Sequence, residues 1–159
     1  MKILLIYPRE IVSTRDVAIG IHEGLEKGGH EVIGYDIGGF MVYEEIAAAA
    51  LKKTGIWDKI FEGENVNPKV MCKIIAQGSV FVAKSETVDF VLVINGDQFF
   101  EQKIPKMISE MGIPCVLWLT EEPYKHFESL IMSQAYDLVL CNEKNSVIGS
   151  PLSNIRFLP

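Results

Sequence analysis

Two adjacent carboxylates, Glu121 and Glu122, followed by Pro123, are the residues of this 159-residue chain best suited to acid–base chemistry. Neighbouring carboxylates repel, and partial burial raises one pKa toward neutrality, the condition under which a glutamate takes a proton from a hydroxyl. The same pair has a plainer reading: one side chain points to solvent and the other caps a helix starting near Tyr124. Tyr7-Pro8-Arg9-Glu10, Asn95-Gly96-Asp97-Gln98 and Cys141-Asn142-Glu143-Lys144 also place polar groups directly after apolar runs. In an open α/β sheet, ligands bind beyond the carboxyl ends of the strands. Tyr7, Arg9, Asn95, Asp97 and Asn142 are therefore the candidate substrate-binding residues, beside Glu121 and Glu122 as candidate catalytic ones. Many residues at such positions serve only as turn formers or helix caps.

Other chemistry is poorly supported. The three histidines, His22, His30 and His126, are far apart in sequence. Only His126 falls near the glutamate pair, and without a second His or Cys close by it predicts no metal site. Cys72, Cys115 and Cys141 are widely spaced, form no CxxC pair, and in two cases sit in apolar runs, which predicts reduced, buried thiols and a cytoplasmic location. A dinucleotide site needs G-x-G-x-x-G after the first strand, and that segment, Tyr7 to Arg15, holds no glycine. Asp36 then reads as an ordinary strand-end carboxylate. With the P-loop pattern also missing, no cofactor is expected in this domain.

The elements that would hold these residues are legible in the apolar pattern. Lys2 to Tyr7, Glu31 to Asp36, Phe90 to Ile94, Pro114 to Leu119, Leu138 to Cys141 and Ile155 to Leu158 are short runs of the kind that form strands buried on both faces. Between the first two, Ser13, Thr14 and Asp16 offer caps. Val17, Ala18, Ile21 and Leu25 recur at helical spacing, and Gly28-Gly29 supplies a stop. Gly20, Gly24 and Gly28 fall four apart and predict a stripe lying close on the sheet. Further helices are expected over 43–54, as a turn near Trp57 and Phe61, from Pro68 through Val82 despite Gly78, and over 100–111, 124–135 and 143–148. Strands alternating with helices predict an α/β domain of doubly wound, three-layer form, with a mostly parallel sheet of about six strands.

Composition sets the outer limits. A chain 48% apolar and 23% charged is an ordinary globular domain, long enough to bury a core without a disulfide or metal. A formal net charge of −6 argues against nucleic-acid or anionic-membrane partners, which are held through clustered positive charge. No apolar stretch approaches the ~20 residues needed to span a bilayer.

Two sets of motifs resemble a known family. Lys2-Ile3-Leu4-Leu5-Ile6, followed by Gly28-Gly29-His30-Glu31-Val32, looks like the opening of many GT-B glycosyltransferases, which pair two Rossmann-like domains. Val88 to Gly96, Gly112 to Trp118, Glu121-Glu122-Pro123, Tyr136 to Asn142 and Phe157-Leu158-Pro159 then follow in an order similar to the amino-terminal domain of CgeB-like, spore-maturation glycosyltransferases. The family pattern favours aspartates before the proline where this chain carries Glu121-Glu122, and segment 40–86 has no matching motif.

The resemblance implies a single Rossmann-like domain over 1–159, forming the amino-terminal, acceptor-side half of a GT-B protein. Such a half would bind a small-molecule or glycan acceptor. It would transfer sugar from a nucleotide-sugar only with a carboxy-terminal domain, and it would not be active alone. The alternative is a non-catalytic flavodoxin-like module that binds a ligand or a protein, and fold analogy does not choose between the two.

Overall fold

The computed structural model describes residues 1–7, 12–40, 46, 49–50, 53–55, 68–95, 102–120 and 133–159. Six strands, β1 (Lys2–Tyr7), β2 (Glu31–Asp36), β3 (Phe90–Ile94), β4 (Cys115–Leu119), β5 (Leu138–Cys141) and β6 (Ile155–Phe157), form one parallel sheet in the order β2-β1-β3-β4-β5-β6. Among the described residues the helices α1 (Val12–Lys27), α2 (Pro68–Ser85), α3 (Lys103–Glu110) and the short α4 (Lys144–Ile148) accompany them. The fold is the expected Rossmann-like α/β architecture.

Chirality explains the layering. The connection from β1 to β2 runs one way along the sheet and every later connection runs the other way. Right-handed crossovers therefore put α1 on one face and the later helices on the opposite one. The core divides accordingly. Ile3, Leu5, Leu92 and Ile94 meet Ile21 and Leu25 of α1. Leu4, Ile6, Val91, Val93, Leu117 and Val139 meet Ile75, Ala76 and Ala83 of α2 and Ile104 and Ile108 of α3. Ile3, Leu4, Leu5 and Ile6 are fully buried, and burying each such side chain stabilises the fold by about 1.5–3 kcal/mol.

Helix ends carry specific chemistry. His30 N–H donates to the Leu25 carbonyl at 3.1 Å and Gly29 N–H to that of Glu26 at 2.9 Å, with Gly29 at φ +82°. This is a Schellman stop, and it requires the left-handed residue that Gly29 provides. Glu143 caps α4 by accepting from Asn145 N–H at 3.0 Å, so that helix begins one residue later than the sequence suggests. At the amino-terminal edge of the sheet, one oxygen of Asp137 accepts from Ser109 Oγ at 2.6 Å and from Cys115 N–H at 2.7 Å, joining α3, β4 and β5.

Two expectations about α1 are corrected. The helix starts at Val12, so Ser13, Thr14 and Asp16 lie within it and are not its caps. The glycine stripe does not approach the sheet: Gly20 and Gly24 are exposed, and a Cβ on either would meet nothing within 4 Å. Ala18, Ile21 and Leu25 define the side of α1 that packs, and the glycines fall off it. In the third connection α3 is described from Lys103, and residues 96–101 lie outside the described residues. Of the helix expected over 43–54, residues 46, 49–50 and 53 are helical. It closes with Thr54 N–H on the Ala50 carbonyl and Gly55 at φ +67°. The turn near Trp57 and most of 124–135 also lie outside the described residues.

Gly78, which the helical pattern tolerated without a reason, has one. The buried Tyr35 hydroxyl donates to the Ile75 carbonyl at 2.6 Å, and a Cβ on Gly78 would sit 2.6 Å from that hydroxyl oxygen. Gly78→Ala should therefore lower stability by about 1–3 kcal/mol, by crowding the site or expelling the hydroxyl. Adding Tyr35→Phe should recover part of that loss, whereas Gly20→Ala, in open space, should stabilise by about 0.5–1 kcal/mol. Urea unfolding of the variants measures all three.

Cys115 and Cys141 are both buried. Burial, with the Asp137 carboxylate adding to it, pushes the Cys115 thiol well above its ordinary 9.0. The folded chain keeps this proton at a pH where the unfolded chain releases it. The contribution is thus complete below about pH 9 and lost as pH rises beyond it. Urea midpoints between about pH 8 and about pH 11 should fall more steeply in the wild type than in Cys115→Ala.

Candidate functional site at the carboxyl edge of the sheet

The strand order 2-1-3 creates a topological switch between β1 and β3, where successive connections leave in opposite directions. The crevice outside the carboxyl ends at such a point is where open α/β sheets bind ligands. Tyr7 ends β1 and Asn95 follows β3. Their strands are neighbours, yet the two side chains diverge. Tyr7 shares the α1 face with Ile3 and Leu5, and its hydroxyl lies 3.5 Å from where a Gly34 Cβ would be. It thus leans over β2, toward the His22 imidazole, which lies 3.6 Å from the same point.

The polar residues that do converge are Asn95, Thr120 and Asn142, each one position beyond the end of β3, β4 and β5. Asn95 Nδ2 donates to Thr120 Oγ1 at 2.5 Å, and Thr120 N–H donates back to Asn95 Oδ1 at 2.8 Å. Asn142 Nδ2 donates to the Thr120 carbonyl at 3.0 Å. Asn95 is buried and holds φ +47°, a left-handed conformation that Asn tolerates better than most residues. Its backbone N–H donates to the Trp118 carbonyl at 3.0 Å, so backbone and side chain together bind the end of β3 to that of β4.

Among the sequence-predicted site residues, the structure therefore brings Asn95 and Asn142 together through Thr120 and directs Tyr7 elsewhere. Arg9, Asp97, Glu121 and Glu122 lie outside the described residues, as does His126. Thr120 is not among the sequence-predicted site residues. The signal that finds it is the recurrence of an amide or hydroxyl one position past three successive strands. Asp36, at the end of β2, accepts from Gly39 N–H at 2.8 Å and caps the helical turn 37–40. Among the described residues no group of three or more His, Cys, Asp or Glu side chains could hold a metal ion. No helix among them is long and apolar enough to cross a membrane.

The arrangement of strands can be matched to a solved structure. The chain is similar in fold to MurG from Acinetobacter baumannii. The superposition covers 99% of this chain and 45% of the MurG chain, with a TM-score of 0.62 and 12% sequence identity. MurG is a GT-B glycosyltransferase, and at this identity the likeness is one of fold. This chain spans less than half the length of MurG. No family model matches the sequence, and no curated protein matches it either.

The paired amide and hydroxyl define a test of the clasp. Asn95→Ala removes two side-chain hydrogen bonds and leaves a Cβ at positive φ, for an expected loss of about 2–4 kcal/mol. Asn95→Gly loses the same hydrogen bonds but relieves the backbone, so it should be less damaging than Ala. Equal thermal unfolding temperatures for the two would remove backbone strain from the account.

Proposed function

We propose that this domain is the acceptor-side half of a glycosyltransferase of CgeB-like type, working with a second Rossmann-like domain that carries the nucleotide-sugar. The observation that supports this reading is the likeness of nearly the whole chain to less than half of MurG. The strand-end cluster of Asn95, Thr120 and Asn142 adds an uncharged polar rim of the kind that receives sugar hydroxyls. Work in the cytoplasm remains part of this reading, resting on the wide spacing of Cys72, Cys115 and Cys141 and the lack of a CxxC pair.

In the proposed reaction Glu121 or Glu122 takes the proton of an acceptor hydroxyl. The hydroxyl oxygen bonds to the anomeric carbon as the bond from that carbon to the nucleoside diphosphate breaks. The leaving diphosphate departs with the bonding electrons and is stabilised by positive groups or helix ends of the second domain. In this reading Arg9, Asn95, Asp97 and Asn142 would serve the acceptor side of the cleft, and Tyr7, turned toward Gly34 and His22, would not touch the acceptor.

Reading the gene past the codon for Pro159 supplies the first test, with a second domain of similar size as the expected result. Release of nucleoside diphosphate from a panel of nucleotide-sugars, measured on the two-domain protein, supplies the second. Glu121→Gln with Glu122→Gln should lower turnover at least about a hundredfold while leaving the fold intact. A stop codon at that point, or no release with any donor, would instead favour the non-catalytic binding module.

A further inference from the structure

We propose that Thr120 and Asn142 form a subsite for two neighbouring hydroxyls of a saccharide, Thr120 acting as hydrogen-bond donor and Asn142 as acceptor. The polarity follows by elimination. Thr120 N–H can only donate, so the Asn95 atom facing it is the oxygen, and the nitrogen of that amide is the atom on Thr120 Oγ1. A hydroxyl has one proton and two acceptor sites. With one acceptor site filled by Asn95 Nδ2, the Thr120 proton is directed away from Asn95. The Thr120 carbonyl can only accept, so it fixes the Asn142 carboxamide with Nδ2 inward and Oδ1 outward.

Position and surroundings agree. Trp118 pairs with Leu140 across β4 and β5, so Thr120 and Asn142, two residues further on, continue the same pairing beyond the strand ends. Neighbouring strands stand about 5 Å apart, a width that two adjoining hydroxyls bridge with one hydrogen bond each. Asn142 is exposed and Thr120 half-buried, so a ligand reaches both. Trp118 and Leu140, half-buried on the same face, give the C–H side of a sugar an apolar floor. An outward-facing carbonyl repels phosphate, and a chain of net charge −6 adds to that repulsion. The subsite is thus for the neutral part of the acceptor, and the assignment rests on the acceptor-side reading above.

The test is an amide NMR titration of the 159-residue chain with the methyl glycosides of glucose, galactose and mannose, and with inorganic phosphate. At least one glycoside should shift the Thr120 backbone amide and the Asn142 side-chain amide saturably, and phosphate should not. Asn142→Ala, a surface change, should weaken binding roughly fivefold, the factor for one neutral hydrogen bond. Thr120→Ser should retain binding and Thr120→Val should lose it. Shifts unaffected by Asn142→Ala, saturable shifts with phosphate, or no saturable shift with any glycoside would overturn the subsite. Saccharide binding here without transfer by the two-domain protein would sink the transferase reading alone. Transfer with an acceptor KM unchanged in Asn142→Ala would sink the subsite alone.

Discussion

Four consecutive residues of β1, Ile3 through Ile6, are buried completely, two on each face of the sheet. That double burial is the constraint from which the rest of the domain follows. A strand with no solvent face must have a neighbour on each side and a layer above and below. β2 and β3 provide the neighbours, α1 covers one face and α2 the other. Because the chain reaches β2 first and then crosses back, the two sides of β1 are served by connections of opposite direction. The crevice at the carboxyl edge is a by-product of that reversal.

The edge itself is ordered by a different kind of interaction. Beyond the last ladder bond, strand ends tend to splay, since apolar packing no longer fixes them. Asn95 counters this by joining β3 to β4 through three hydrogen bonds, two from its side chain and one from its backbone. Asn142 extends the tie to β5. A residue held at positive φ inside the structure is maintained by what surrounds it. Here the surroundings are the hydroxyl, amide and carbonyl that orient the rim toward solvent.

The strands were legible because runs such as Phe90 to Ile94 and Leu138 to Cys141 are apolar almost throughout, and only a sheet covered on both faces asks for that. Pro68 and the Gly28-Gly29 pair marked helix ends for equally local reasons. What escaped the sequence depended on direction. Gly20 and Gly24 share a spacing with packing glycines, yet which side of α1 meets the sheet is decided by Ala18, Ile21 and Leu25 against β1. Tyr7 sits where a strand-end residue should, but alternation sends its ring over Gly34. Thr120 was hidden because its importance lies in joining Asn95 and Asn142, residues distant from it in the chain.

The Tyr35 hydroxyl and the notch at Gly78 index α2 along its own axis. Apolar packing alone lets a helix slide by a turn and find a similar set of contacts. Here the residues one turn to either side of the notch are Ile74 and Val82, both branched at Cβ. A slide in either direction would drive a branched side chain against the phenol oxygen and strand its proton without the Ile75 carbonyl. The Tyr35 hydroxyl thus adds an axial stop to the packing of Ile75, Ala76 and Ala83, and so helps set where the chain leaves α2 at the amino edge of the sheet to enter β3.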